Sequence, residues 1–276
     1  MLCEGQSMRA TARLADASFY TVAKLMLDAS KVCADLHDEL VQCDEIWSFT
    51  YAKHENVATA KNALEEAGDT WTWTALDSES KLIIGWLVGG RDGEYTMAFM
   101  DGLRSRLANR VQLTTDGHRA YLEAVEGAFA GDVDYAQLVK LDGEPTGSKG
   151  HERKYSPSES TGVKTRTVKG NPDKAHIFTS HVERQNLTMR LHMRRFTRLT
   201  NAFSKKFNNH VATVSLYTMF YSFGRIHETL RVSPAMEARL TDRVWDMEDI
   251  IAIMDERAPK PGPRGSYKKR SADFSD

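Results

Sequence analysis

Cysteine is scarce in this chain of 276 residues: Cys3, Cys33 and Cys43 are the full set, and no two form a C-x-x-C pair. A disulfide framework and a cysteine-ligated zinc site are both excluded on that count. Long apolar runs are missing as well. The longest, residues 82–88, has the length of a strand, against the ~18 residues a membrane-spanning helix needs. The first residues lack the basic-then-apolar order of a signal peptide, so a cytoplasmic protein is expected. Bulk charge is nearly absent, with 37 Lys and Arg against 38 Asp and Glu and a net charge of −1. What is present is ordinary for a globular chain, 41% hydrophobic and 27% charged, which excludes disorder throughout and allows one large domain or two smaller ones.

The neutral total conceals local imbalance. Between His181 and His210 lie Arg184, Arg190, Arg194, Arg195, Arg198, Lys205 and Lys206, with Glu183 as the lone acid. The tail adds Lys260, Arg264, Lys268, Lys269 and Arg270, after an acidic stretch over 242–256. A basic segment in a neutral protein is a candidate polyanion surface, because phosphate contacts dominate nucleic-acid affinity.

Periodicity divides the chain into three parts. Residues 1–36 read as two short helices, with Ser18 capping the second and Val22, Leu25 and Met26 on its buried side. This arrangement suits a helix-turn-helix that would present Tyr20, Thr21 and Lys24 to a DNA major groove. From Val41 the period becomes two, and Asp44 and Glu45 fall on opposite faces of a strand. Such an arrangement argues against their sharing a metal. Strands over 70–76 and 81–88 complete an antiparallel meander, separated from the first by a polar helical stretch. A helix from Asp92, a strand over 111–115, a helix over 119–129 and a strand over 133–141 follow, giving the order βββαβαβ. Residues 142–175 are polar, with little apolar content, and read as a long insertion. Helices over 180–196, 202–223 and 244–254 precede the basic tail. The expected division is thus 1–36, a unit over 40–223 and a C-terminal segment over 224–276.

Three acids stand out. Asp44 lies mid-strand, against propensity, where such violations tend to be functional. Asp116 follows the fourth strand, at the end where α/β sheets place ligands. Glu183 is the acid within the basic helix. Asn186, one turn on, could orient the Glu183 carboxylate or bind a DNA strand. Arg184, Arg190, Arg194, Arg195, Lys205 and Lys206 are candidate phosphate contacts. Blander roles suit other residues: packing for Trp71 and Trp73, a turn for Asp77, a helix cap for Asp92, and surface or packing positions for His118 and His181, which flank the candidate site.

The βββαβαβ order with these three acids resembles the ribonuclease-H-like fold of polynucleotidyl transferases. That likeness implies an α/β mixed sheet with adjacent first and fourth strands, bringing Asp44 and Asp116 together. More specifically, Cys-Asp-Glu-Ile-Trp-Ser-Phe (43–49), Thr-Asp-Gly-His-Arg-Ala-Tyr (115–121), Val-Glu-Arg-Gln-Asn-Leu-Thr-Met-Arg (182–190) and Leu-Thr-Asn-Ala-Phe-Ser-Lys-Lys (199–206) resemble the transposases of the insertion-sequence-one family. The similarity covers about residues 40–230. It implies a DDE transposase whose triad is Asp44, Asp116 and Glu183. The implied cofactor is Mg²⁺, with Mn²⁺ able to substitute, because three carboxylates with open positions suit a hard ion that also binds phosphate. The implied partners are the element's terminal inverted repeats, target DNA and further copies of the chain in a synaptic complex, with no membrane and a bacterial, nucleoid-associated location. Two alternatives stay open: a non-catalytic DNA-binding regulator, and a ribonuclease-H-like nuclease without strand transfer.

Overall fold

A computed structural model describes residues 40–143, 159–197 and 201–257, with the backbone alone at 142–143, 159–161 and 253–257. The expected helix-turn-helix, with Tyr20, Thr21 and Lys24, lies outside the described residues, as does the basic tail. The fold is α/β around one mixed sheet of six strands in the order β3-β2-β1-β4-β5-β6. The strands are β1 (Leu40–Thr50), β2 (Gly68–Asp77), β3 (Ile83–Gly89), β4 (Val111–Thr115), β5 (Val133–Gly143) and β6 (Glu159–Lys169). β1, β2 and β3 form the expected antiparallel meander. β4 runs parallel to β1, and β5 parallel to β4.

The helices are α1 (His54–Val57), α2 (Gly93–Arg104), α3 (Ala120–Phe129), α4 (Ser180–His192), α5 (Phe207–Met219), α6 (Pro234–Glu237) and α7 (Met247–Arg257). Asp92 caps α2 as expected, its carboxylate accepting from Tyr95 N. α5 runs into a π turn over Phe220–Gly224. Among the described residues no helix is long and apolar enough to cross a membrane.

Two apolar clusters explain why the sheet is covered on both faces. Val41, Cys43, Trp73 and Ala75 pack with Phe99, Leu103, Tyr121 and Val125 of α2 and α3. Ile46 and Leu76 pack with Val182 and Met189 of α4 and with Val214 and Tyr217 of α5. Alternate β1 residues therefore enter opposite clusters, as the period of two requires. Each fully buried large side chain contributes about 1.5–3 kcal/mol through removal from water. Trp73 is fully buried in the first cluster, in keeping with its expected packing role. Asp77 likewise does the expected turn work, accepting from Ser80 N and Oγ.

Two expectations need correction. Residues 142–175 are not one long polar loop, because β6 pairs antiparallel with β5 along most of its length. β6 is an edge strand with exposed side chains, so it needs no apolar pattern, and its β-branched Val163, Thr165, Thr167 and Val168 suffice for extended backbone. The polar stretch after β1 is also less helical than expected, containing the four residues of α1.

α5 is joined to β1 by a buried polar chain. His210 is fully buried; its Nε2 lies 3.2 Å from Ser48 Oγ and its Nδ1 3.1 Å from Ser204 Oγ. Ser48 Oγ donates to Thr70 O, so Nε2 is the ring nitrogen that carries hydrogen, and Nδ1 accepts from Ser204. Burial, with the nearby Arg195 charge, pushes the His210 pKa down to about 3. The unfolded chain takes up a proton near pH 6.5 that the folded protein refuses. Stability from this group is therefore present above that pH and is lost as pH falls toward 3. His210→Asn should flatten the acid limb of stability between about pH 6.5 and 3, an effect on the order of a few kcal/mol. Urea unfolding across that range measures it; an unchanged acid limb would contradict the neutral buried imidazole.

Candidate functional site

Register places the first two acids side by side. In the parallel β1–β4 pair Cys43 faces Thr115, so Asp44 and Asp116 come next at the same level. β4 ends at Thr115, and the chain turns there through Gly117. Val139 Cγ2 lies 3.0 Å from where a β-carbon on Gly117 would stand; the missing side chain lets the turn lie on β5. The turn is held by His118 N, which donates to Asp116 Oδ1 at 2.9 Å.

α4 brings the third acid. Gln42, two residues before Asp44 and buried, accepts through Oε1 from His181 N and Val182 N, both at 3.1 Å. A β1 side chain thereby satisfies two of the N–H groups that a helix start leaves unpaired. One turn after Glu183, Asn186 Nδ2 donates to Asp44 Oδ2 at 2.8 Å. These two ties lock α4 to β1. Asp44, Glu45, Asp116, Glu183, Asn186 and Arg190 line one cavity of about 590 Å³, with Arg91, His118 and Lys140 also in its wall. Glu183 accepts from Thr179 Oγ1 and from Lys140 Nζ, each at 2.5 Å.

Oxygens of Asp44, Glu45 and Asp116 all lie within 4.8 Å of one another. The expectation that Glu45 could not join Asp44 is thus overturned. β4 stops beside Cys43, so beyond that residue β1 has no β4 partner, and the longer Glu45 side chain reaches the same gap. Arg91, which sequence reading missed, donates to Glu45 Oε1 through Nε at 2.6 Å. Its guanidinium stands 3.9 Å from Asp116 Oδ2 and 4.6 Å from the centre of the Trp71 ring. Tyr121 Oη donates to Glu45 Oε2 at 3.2 Å.

Burial pushes the Asp44 pKa up to about 7, with repulsion from Glu45, Asp116 and Glu183 adding to it. Burial raises Glu45 too, reinforced by Asp116 and opposed by Arg91 and Tyr121. The donor set is oxygen throughout, and among the described residues no cation pairs with Asp44. Such a set fits a hard divalent cation.

The other expected residues divide. Arg184, Arg194, Lys205 and Lys206 are exposed. Arg190 lines the cavity. Asn186 orients Asp44 rather than Glu183. Arg195 is not a surface contact: Nη1 donates inward to Ser204 Oγ at 2.8 Å, and burial pulls its pKa down to about 10. His118 packs edge-on against Tyr121. Lys140, Thr179 and Gln42 were missed along with Arg91. The Thr179-to-Glu183 spacing, a hydroxyl residue four before an acid at a helix start, was the one local signal among them. No family model matches the chain, and no curated protein matches it.

In the metal-free protein Asp44 binds its proton more tightly folded than unfolded. Its contribution to stability is therefore lost as pH rises from about 4 to about 7. Asp44→Asn should remove that loss, so the variant is expected to be more stable than wild type above pH 7 when divalent ions are chelated. Thermal unfolding at several pH values checks this; a variant less stable at every pH would contradict the crowded-carboxylate account.

Proposed function

We propose that this protein is a divalent-metal-dependent DNA transposase of the DDE type, with a ribonuclease-H-like catalytic domain. The observation that carries the reading is the single cavity lined by Asp44, Asp116 and Glu183, acids drawn from the first strand, the end of the fourth and a later helix. The strand order 3-2-1-4-5, with two parallel additions to an antiparallel meander, supports the fold, and β6 extends it at one edge.

Asp44 and Asp116, with Glu45 and Glu183 at hand, would hold Mg²⁺ or Mn²⁺. Bound there, divalent ions would supply Lewis acidity at a phosphodiester and an activated hydroxyl nucleophile. Asn186 keeps the Asp44 carboxylate oriented, Thr179 and Lys140 hold Glu183, and Arg91 takes up the excess charge on Glu45. In the proposed reaction water attacks the phosphodiester at the element's end, and the P–O bond to the 3′ oxygen breaks to leave a 3′-hydroxyl. That hydroxyl then attacks a target phosphodiester, forming a new P–O bond and releasing a second 3′-hydroxyl. The exposed Arg184, Arg194, Lys205 and Lys206 and the cavity-lining Arg190 are the phosphate contacts of this reading, with terminal inverted repeats, target DNA and further copies of the chain as partners.

The test is a duplex carrying the inverted repeat that borders the coding region, incubated with Mg²⁺ or Mn²⁺. Asp44→Asn, Asp116→Asn and Glu183→Gln should each lower cleavage at least about 10²-fold, the scale for losing one group that stabilises transition-state charge. DNA affinity should be largely retained. Wild-type cleavage by any of the three removes that residue from the assignment. Pre-cleaved ends that are never joined to target would leave a nuclease instead.

A further inference from the structure

The β5–β6 ribbon forms one wall of the cavity through Leu138, Val139 and Lys140. In its register Gln137 faces Arg166 and Val139 faces Lys164, so both cations share one sheet face. That face carries the turn after Asp116. Gln137 Nε2 donates to Asp116 O at 3.2 Å and to His118 O at 3.4 Å, and Val139 packs on Gly117. The opposite face carries Val163 and Thr165 in register with Lys140 and Leu138.

Lys164 and Arg166 are exposed, and neither forms an ion pair with a described residue. The same is true of Arg119, which stands at the start of α3 just past the Asp116 turn. Cations lower on the sheet are neutralised: Lys169 pairs with Glu126, and Arg110 with Asp134. Edge strands often carry charge to block pairing with another chain, but that purpose does not require both charges on one face. Here both lie on the face that carries the Asp116 turn, with Gln137 and Val139, while exposed Val163 lies on the face of Leu138 and Lys140.

We infer that this face of the ribbon, Lys164 and Arg166 together with Arg119, is a second DNA surface, gripping the duplex backbone where it leaves the cavity past Asp116. The inference rests on reading the cavity as a phosphodiester site. Residues two apart on a strand lie about 6.8 Å apart, farther than the axial step of about 3.4 Å between successive phosphates of one DNA strand. Each cation can therefore take its own phosphate, an interaction that positions the duplex without reading its sequence.

The experiment measures anisotropy of a labelled duplex DNA between about 50 and 200 mM salt, with divalent ions chelated so that no cleavage occurs. Lys164→Ala with Arg166→Ala should weaken binding roughly tenfold or more at the low-salt end. The slope of log affinity against log salt should become shallower by roughly 1.8, at about 0.9 for each of the two phosphates that the variant no longer neutralises. The swap Lys164→Arg with Arg166→Lys should keep the wild-type slope, which separates missing charge from a disturbed strand. Lys61→Ala with Lys174→Ala removes the same charge elsewhere and should leave the slope near wild type. A slope for the ribbon variant equal to that control overturns the second surface and leaves the cavity reading standing. Wild-type binding that ignores salt overturns both.

Discussion

Crowding of negative charge is the constraint around which this molecule is arranged. Ionised together, three carboxylates with oxygens inside 4.8 Å would repel one another by on the order of 3–4 kcal/mol per pair at an effective dielectric near 20. The end of β4 beside the middle of β1 makes the crowding geometrically possible, because the sheet is left with a notch into which both β1 carboxylates lean.

The surrounding structure contains the strain with fixed polar groups. Arg91 is pinned between the Trp71 ring and Glu45, so one cation is held in place with limited freedom. Gln42 and Asn186 tie α4 to β1 at two points four residues apart on the helix, Val182 and Asn186. Glu183 lies between them, and its position follows from those ties. Asp44, by contrast, is left with a neutral donor. The acid whose position against strand propensity first marked it is thus the one that burial and its acidic neighbours push toward the protonated form.

The meander, the β4 and β5 strands, α3 and α4 could be read from periodicity because each has a buried side that leaves an apolar repeat. β6 could not, since an exposed edge strand is stabilised by main-chain pairing to β5, which leaves no hydrophobic signature. The face assignment for Glu45 was correct for an ideal strand and misleading in this one. Alternation says where a β-carbon points, not where a long side chain ends when the neighbouring strand stops short. Arg195 stood in a basic run indistinguishable from its exposed neighbours, yet it turns inward to Ser204 beneath His210.

Sequence alone determined the element order from β1 to β5, the period of two in β1 and the three acids worth watching, because those follow from local periodicity and from residues placed against propensity. Tertiary structure decided which groups share a cavity, that Glu45 belongs with Asp44 and Asp116, and that Arg91, Lys140 and Gln42 serve the site. Those facts depend on strand register and on side-chain reach between segments far apart in the chain, where composition and spacing carry no information.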